Sequence, residues 1–417
     1  MRGDRRVGRL LLGLASAVLI AGCGAGTTAP TPAASPARSA VVATPAAAPT
    51  MDLATPAPAS FDASLAADLQ AALERTVETQ RYPAMSAAVV LPDGTSWAGT
   101  AGMSDAAART PATPDTSFVV GSITKTFIAA LMLELAHDGV LTLDDPLATW
   151  LPELNGDARF TIDKVTIRQL LGHTSGIANY TGEAYLVDVL KDPSRRWTPD
   201  EVLGWVGAPL FAPGTDFEYV NTNYILAGMV IERATGSTVA SLLRQRFLVP
   251  LGLDRTALQP QELPVAPTAH GYSEVLPGGR DGSPVDGWDD SGLMPSASIA
   301  STAWTAGGLT ASAPDLARWA AALYGGRVLD AASLDDMLDF DRDAAFTEGG
   351  YGLGVAKGYD DRTPAVGHSG GVPGFRAEMW YLTEAHATIV VLANTDSASF
   401  TDAYLSVQRL VVEHLGP

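Results

Sequence analysis

Cysteine is all but absent from this 417-residue chain, which has one, Cys23. A single thiol excludes an internal disulfide, and its place near the start excludes a thiol nucleophile in the folded body. Positive charge is scarce as well, with 27 Lys and Arg against 46 Asp and Glu, a formal charge of −19. So acidic a surface repels phosphate backbones and anionic headgroups, which argues against nucleic-acid binding and against a polybasic membrane patch. Lysines stand only at positions 125, 164, 191 and 357. Histidines 137, 173, 270, 386 and 414 show no metal-ligand spacing, and neither a metal nor another cofactor is expected.

What is present begins with a leader-like segment. Arg2, Arg5, Arg6 and Arg9 precede the apolar run Leu10 to Ile20, and Ile20-Ala21-Gly22-Cys23 supplies small residues for cleavage. The run is too short for an ordinary membrane span. Its end resembles the lipobox of bacterial lipoproteins, which implies that residues 1–22 are removed and that Cys23 is lipidated. The protein is then expected to be exported and held at the outer face of the bacterial cytoplasmic membrane, touching it only through that lipid. Arg5-Arg6 leaves Sec and twin-arginine export both open. Without residues 1–22 the balance is 23 basic to 45 acidic residues, or −22. Residues 23–60 are Ala-, Pro- and Thr-rich and nearly free of large apolar side chains. They read as a linker of about 35 Å mean span.

From Phe61 the composition changes, and residues 61–417 read as one domain. Asp62 can cap a helix that carries Leu65, Leu69, Leu73 and Val77 on one stripe. Met85 to Leu91 and Thr95 to Gly99 read as strands joined by the turn Pro92-Asp93-Gly94. Strand character returns at 363–367, 376–382 and 388–394, before a closing helix over 403–414. Strands and helices at both ends with a helical middle predict an α/β (α+β) fold. Its antiparallel sheet is built from the two chain ends with flanking helices, and a mainly helical lobe, about 121–300, is inserted.

The chemistry centres on Gly121-Ser122-Ile123-Thr124-Lys125. A β-rich stretch over 116–120 gives way here to an apolar helix pattern from Ile123 to about His137, with Gly139 placed to end it. Lys125 lies on the same side of that helix as Ser122, roughly 60° round. A serine hydroxyl needs a base, and a lysine serves as one only when its pKa is lowered. The positive helix end and the apolar Ile123, Phe127, Ile128, Leu131 and Leu135 supply two causes for lowering it. Taken alone, Ser-x-x-Lys is a common pattern and Ser122 a reasonable N-cap.

Two further pieces stand with it: Tyr219-Val220-Asn221 before a helical pattern at 224–235, and His368-Ser369-Gly370-Gly371 after a strand-like stretch. In this order the three motifs resemble those of the serine β-lactamase and DD-peptidase superfamily, in the branch with class C β-lactamases and secreted DD-carboxypeptidases. The resemblance spans nearly everything from about residue 80 to the end. It implies a β-lactamase/transpeptidase-like fold with Ser122 as acylated nucleophile and Lys125 and Tyr219 sharing its proton, either being the base. Asn221, His368, Ser369, Gly370 and Gly371 would then bind substrate, and the N–H groups of Ser122 and Gly371 would form the oxyanion hole. His173, in Leu171-Gly172-His173-Thr174-Ser175-Gly176, matches a loop of the family and reads as architectural.

The implied activity is that of an exported serine hydrolase, first a D-alanyl-D-alanine carboxypeptidase-like peptidase acting on acyl-D-alanyl peptides. An esterase, a D-amino-acid amidase or a weak class C-like β-lactamase is the alternative, and a non-catalytic lipoprotein that binds wall peptides is a third reading. His368 replaces the Lys of class C enzymes, which moves the expectation away from β-lactams. Arg376 is a candidate for holding a substrate carboxylate. A rival nucleophile is Ser369, because Gly367-His368-Ser369-Gly370-Gly371 fits the Gly-x-Ser-x-Gly elbow, which requires a helix after the serine.

Overall fold

The computed structural model describes residues 60–273, 292–341, 350–358, 363–397 and 400–416. The leader, Cys23 and the linker lie outside the described residues. Among those described, no helix is long and apolar enough to cross a membrane.

A seven-stranded antiparallel sheet runs in the order β3-β2-β1-β10-β9-β8-β7. Its strands are β1 (Ala84–Val90), β2 (Ser96–Asp105), β3 (Thr110–Pro111), β7 (Ala356–Lys357), β8 (Ala365–Val372), β9 (Phe375–Leu382) and β10 (Ala387–Ala393). The first long strand therefore pairs with the last, Met85 opposite Ala393 and Val90 opposite Thr388. This is the sheet expected from the two chain ends.

The helices that matter below are α1 (Ala63–Gln80), α2 (Thr124–His137), α3 (Glu183–Lys191), α4 (Thr222–Thr235), α5 (Ala297–Gly307), α6 (Ala313–Tyr324) and α7 (Phe400–Leu415). Asp62 caps α1, its carboxylate accepting the Leu65 N–H at 2.8 Å. Leu65, Leu69 and Leu73 of α1 join Phe400, Tyr404, Val407 and Val411 of α7 over the sheet face that presents Met85, Ala87, Val89 and Trp380. On the opposite face Ala88, Met379, Val390 and Leu392 meet a second core containing α2, α4 and α6. Strand side chains alternate between faces, so the central β1 and β10, buried on both sides, are apolar along nearly their whole length.

Two expectations need correction. The middle of the chain is not only helical: β4 (Phe118–Val119), β5 (Ala257–Leu258) and β6 (Leu309–Ala311) form a second sheet in the order β4-β6-β5. Strands this short carry no readable period. The α-helix also begins at Thr124, not Ile123, because Gly121–Ile123 form a 3-10 turn.

Candidate active site

β4 leads into the 3-10 turn that carries Ser122, and α2 departs from it. The helix is apolar nearly all round, with Phe127, Ile128, Ala129, Ala130, Leu131 and Met132 at 0% exposure. The Phe127 ring stacks on Trp319 of α6 at 3.9 Å. Lys125 is therefore drawn into the core with its helix and is itself 0% exposed. Its Nζ lies 3.0 Å from Ser122 Oγ, 2.9 Å from Asn221 Oδ1 and 2.7 Å from the Ala306 carbonyl oxygen. Desolvation holds its pKa well below the usual lysine range. A neutral amine has two N–H bonds and one lone pair. The amide and backbone carbonyl oxygens only accept and take both N–H groups, so the lone pair is left for the Ser122 hydroxyl proton.

The Ala306 carbonyl had no sequence signature, since every residue carries one. It reaches Lys125 because α5 is broken at Trp304, whose backbone sits at φ 27°, ψ −117°. A bulky residue at positive φ is strained, and the break turns the last residues of α5 toward the Ser122 turn. Further ties hold that join. Thr124 Oγ1 donates to the Gly121 carbonyl at 2.7 Å and accepts the Leu309 N–H at 3.1 Å.

Asn221 sits at the N-terminus of α4 with its side chain on Lys125 and its N–H on Asn179 Oδ1 at 3.1 Å. Two residues earlier, Tyr219 places its ring centroid 4.8 Å from Lys125 Nζ. Its hydroxyl is buried and makes no hydrogen bond among the described residues. Burial raises the Tyr219 pKa, and the nearby Ser122 hydroxyl offsets this only in part. The phenol thus stays protonated near neutral pH. Ser122, Lys125, Tyr219 and Asn221, separated by up to 99 positions, share one site.

β8 forms the other wall. A Cβ built on Gly370 would strike the Val120 carbonyl and lie 3.1 Å from Ser122 N, and one built on Gly121 would lie 2.5 Å from Gly371 N. Only glycines let the two backbones approach so closely, and Gly121 additionally has φ 52°. The approach brings the Gly371 amide beside the turn that carries Ser122.

The β8 strand runs unbroken to Val372 and turns directly into β9. No helix follows Ser369, so the elbow reading fails. Ser369 is half-buried opposite Glu378, and Arg376 pairs with Gly371 in the neighbouring strand. His368 is 5% exposed. Its Nδ1 faces the Ser369 carbonyl, which can only accept, so Nδ1 carries the proton and Nε2 accepts from the Tyr351 hydroxyl at 2.9 Å. Burial, then the charge of Lys125, push the His368 pKa down to about 3. The expectation that His368 faces substrate is corrected on this point: both ring nitrogens are engaged within the protein. Nothing in the sequence around Tyr351 signals this bond. Among the described residues, no three His, Cys, Asp or Glu come together to hold a metal.

The family model described as Beta-lactamase matches residues 69–412. The chain is 30% identical over 315 residues to penicillin-binding protein 4 of Amycolatopsis lactamdurans, covering 70% of this chain and 76% of that protein. It is 26% identical over 351 residues to the D-aminopeptidase of Brucella anthropi, covering 80% of this chain but 61% of that relative's length. Among solved structures, D-amino acid amidase from Ochrobactrum anthropi SV3, complexed with L-phenylalanine amide, matches with a TM-score of 0.72 at 27% identity. That match covers 85% of this chain and 100% of the other.

Proposed function

The chain belongs to the beta-lactamase family, and from that premise we propose that it is a serine hydrolase which acylates Ser122 with the carbonyl of a D-amino-acid amide or peptide. D-Alanyl peptides are the first class. The observation that carries the reading is the triple environment of Lys125 Nζ, buried between Asn221 Oδ1, the Ala306 carbonyl and Ser122 Oγ.

In this reading Lys125, neutral through desolvation, takes the Ser122 proton while Oγ attacks the substrate carbonyl carbon. The oxyanion lies against the N–H groups of Ser122 and Gly371. Such a donor is typically worth about 3 kcal/mol in the transition state. Tyr219, whose O–H has no competing partner, gives its proton to the leaving nitrogen and regains one from the Lys125 ammonium. The C–N bond breaks and the acyl group stays on Oγ. Water then attacks the ester carbonyl carbon, its proton going to Lys125; the C–Oγ bond breaks, the acid leaves, and Lys125 returns the proton to Oγ. The distribution of labour makes Lys125 the base and Tyr219 the acid of acylation.

A second reading, hydrolysis of free D-amino-acid amides in place of wall peptides, draws support from the match to the D-amino acid amidase along that protein's full length. Export with a lipid on Cys23 belongs to the first reading, since it places the domain beside cell-wall peptides. Incubation with a fluorescent penicillin or a fluorophosphonate, followed by intact mass, tests the common premise. Wild type gains one adduct, and Ser122→Ala gains none; equal labelling of the two rejects the acyl-enzyme. Rates on acyl-D-alanyl-D-alanine against D-phenylalanine amide then separate the two substrates.

A further inference from the structure

We infer that His173 is a positioning residue for Tyr219, clamping the backbone on both sides of it and so fixing where the phenol hydroxyl meets the leaving group. The inference rests on the acyl-enzyme reading above and deepens it.

His173 is fully buried, yet its backbone lies at φ 60°. That conformation is costly for a side chain with a Cβ, and glycine or asparagine would adopt it more easily. Histidine enters this region more readily than most residues with a Cβ, but so does asparagine, so loop shape alone does not single out the imidazole. What the residue adds is a pair of grips on one segment. Its backbone carbonyl accepts the Glu218 N–H at 3.1 Å, and its Nδ1 accepts the Val220 N–H at 3.3 Å. The amides before and after Tyr219 are thus held by one residue. The His173 ring packs against the Tyr219 ring, centroids 4.4 Å apart.

The grip also fixes the tautomer. A backbone N–H can only donate, so Nδ1 is an acceptor and the proton of the neutral imidazole is on Nε2. That N–H is buried with no hydrogen-bond partner among the described residues, a cost of the arrangement. Asn223 Nδ2 stands 3.3 Å from the same Nδ1, and the Asn223 amide oxygen accepts from Ser175 at 2.7 Å. Through Asn223 the clamp reaches the first turn of α4, whose N-terminus carries Asn221.

A displaced Tyr219 harms a substrate in proportion to its need for a proton on the leaving group. Amide nitrogen needs one, and p-nitrophenolate does not. The test compares kcat on the p-nitrophenyl ester and the methylamide of the same N-acetyl-D-alanine. In His173→Ala the amide rate is expected to fall about tenfold or more beyond any fall with the ester, a part of the roughly 10²- to 10⁴-fold that a general acid contributes. His173→Asn keeps an acceptor near the Nδ1 position and tolerates the backbone; it is expected to hold the amide-to-ester ratio close to wild type. His173→Gly tolerates the backbone without the acceptor and is expected to lose the ratio. In a Tyr219→Phe background, His173→Ala should change the ratio no further. Equal losses on ester and amide, equal ratios in the Asn and Gly variants, or additive effects with Tyr219→Phe would overturn the inference. Fluorophosphonate labelling of Ser122 in every variant keeps these outcomes apart from failure of the acyl-enzyme reading, which would show as no Ser122 adduct in wild type.

Discussion

Lys125 has a lowered pKa because of where its helix goes. Among the described residues its Nζ bonds two neutral oxygens and a serine hydroxyl and no carboxylate, and without a counter-charge burial drives the amine toward neutrality. In the proposed mechanism the working form is the deprotonated one, so kcat/KM is expected to rise with pH along a single limb whose apparent pKa lies below the ordinary lysine value of 10.5. A pH–rate profile with a rapid ester checks this, and a limb at or above that value would contradict it. Lys125→Arg keeps the positive charge at every accessible pH and should lower kcat by roughly 10² to 10⁴. His368 contributes no limb near neutrality, being held neutral down to about 3. The sequence put Ser122, Lys125, Tyr219 and Asn221 in one site, and the structure brings the four side chains together; the sequence left the base open between Lys125 and Tyr219. The Ala306 carbonyl on Lys125 Nζ and the burial that raises the Tyr219 pKa underlie the proposed assignment, and neither is written in a side-chain motif.

At the scale of elements, the site is the meeting of one turn and one strand. Gly370 has no room for a methyl, with the Val120 carbonyl and Ser122 N in its place. Gly370→Ala is expected to push β8 from the Ser122 turn, lowering kcat by roughly 10²-fold as an oxyanion donor is displaced. Overpacking should lower stability by about 1 to 3 kcal/mol as well. Kinetics with a denaturation curve would check both; unchanged kcat would remove Gly371 from the oxyanion hole. Long elements were legible where a period or a cap marks them: Asp62 before α1, the apolar strands β1, β9 and β10, and Gly139 after α2 all stand as expected. The 3-10 turn at Ser122 and the second sheet were not, because two- and three-residue elements are fixed by tertiary contacts, not by local pattern.

For the molecule as a whole, two neutral histidines in the core make folding sensitive to acid. Burial depresses the pKa of both His173 and His368, while in the unfolded chain each titrates near about 6.5. Below that value the unfolded state binds more protons, so stability is complete above about pH 6.5 and falls as pH drops toward the folded-state values. The slope is on the order of 1 kcal/mol per pH unit for each histidine. Urea midpoints between about pH 7 and 5 should therefore fall, and His173→Asn should flatten the decline; parallel declines would argue against a neutral His173. The two-ended sheet was legible because its apolar strands cluster at both ends of the chain. Their order and register were not, since pairing across some 300 residues leaves no local trace.

That pairing also sets when the protein can act. A chain synthesised only through β6 already holds Ser122, Lys125, Tyr219, Asn221 and the Ala306 carbonyl. It lacks Gly371, and β1 has no β10 beside it. Nascent or truncated chains are thus expected to be silent, and the nucleophile is armed only when the last hundred residues have been made and docked.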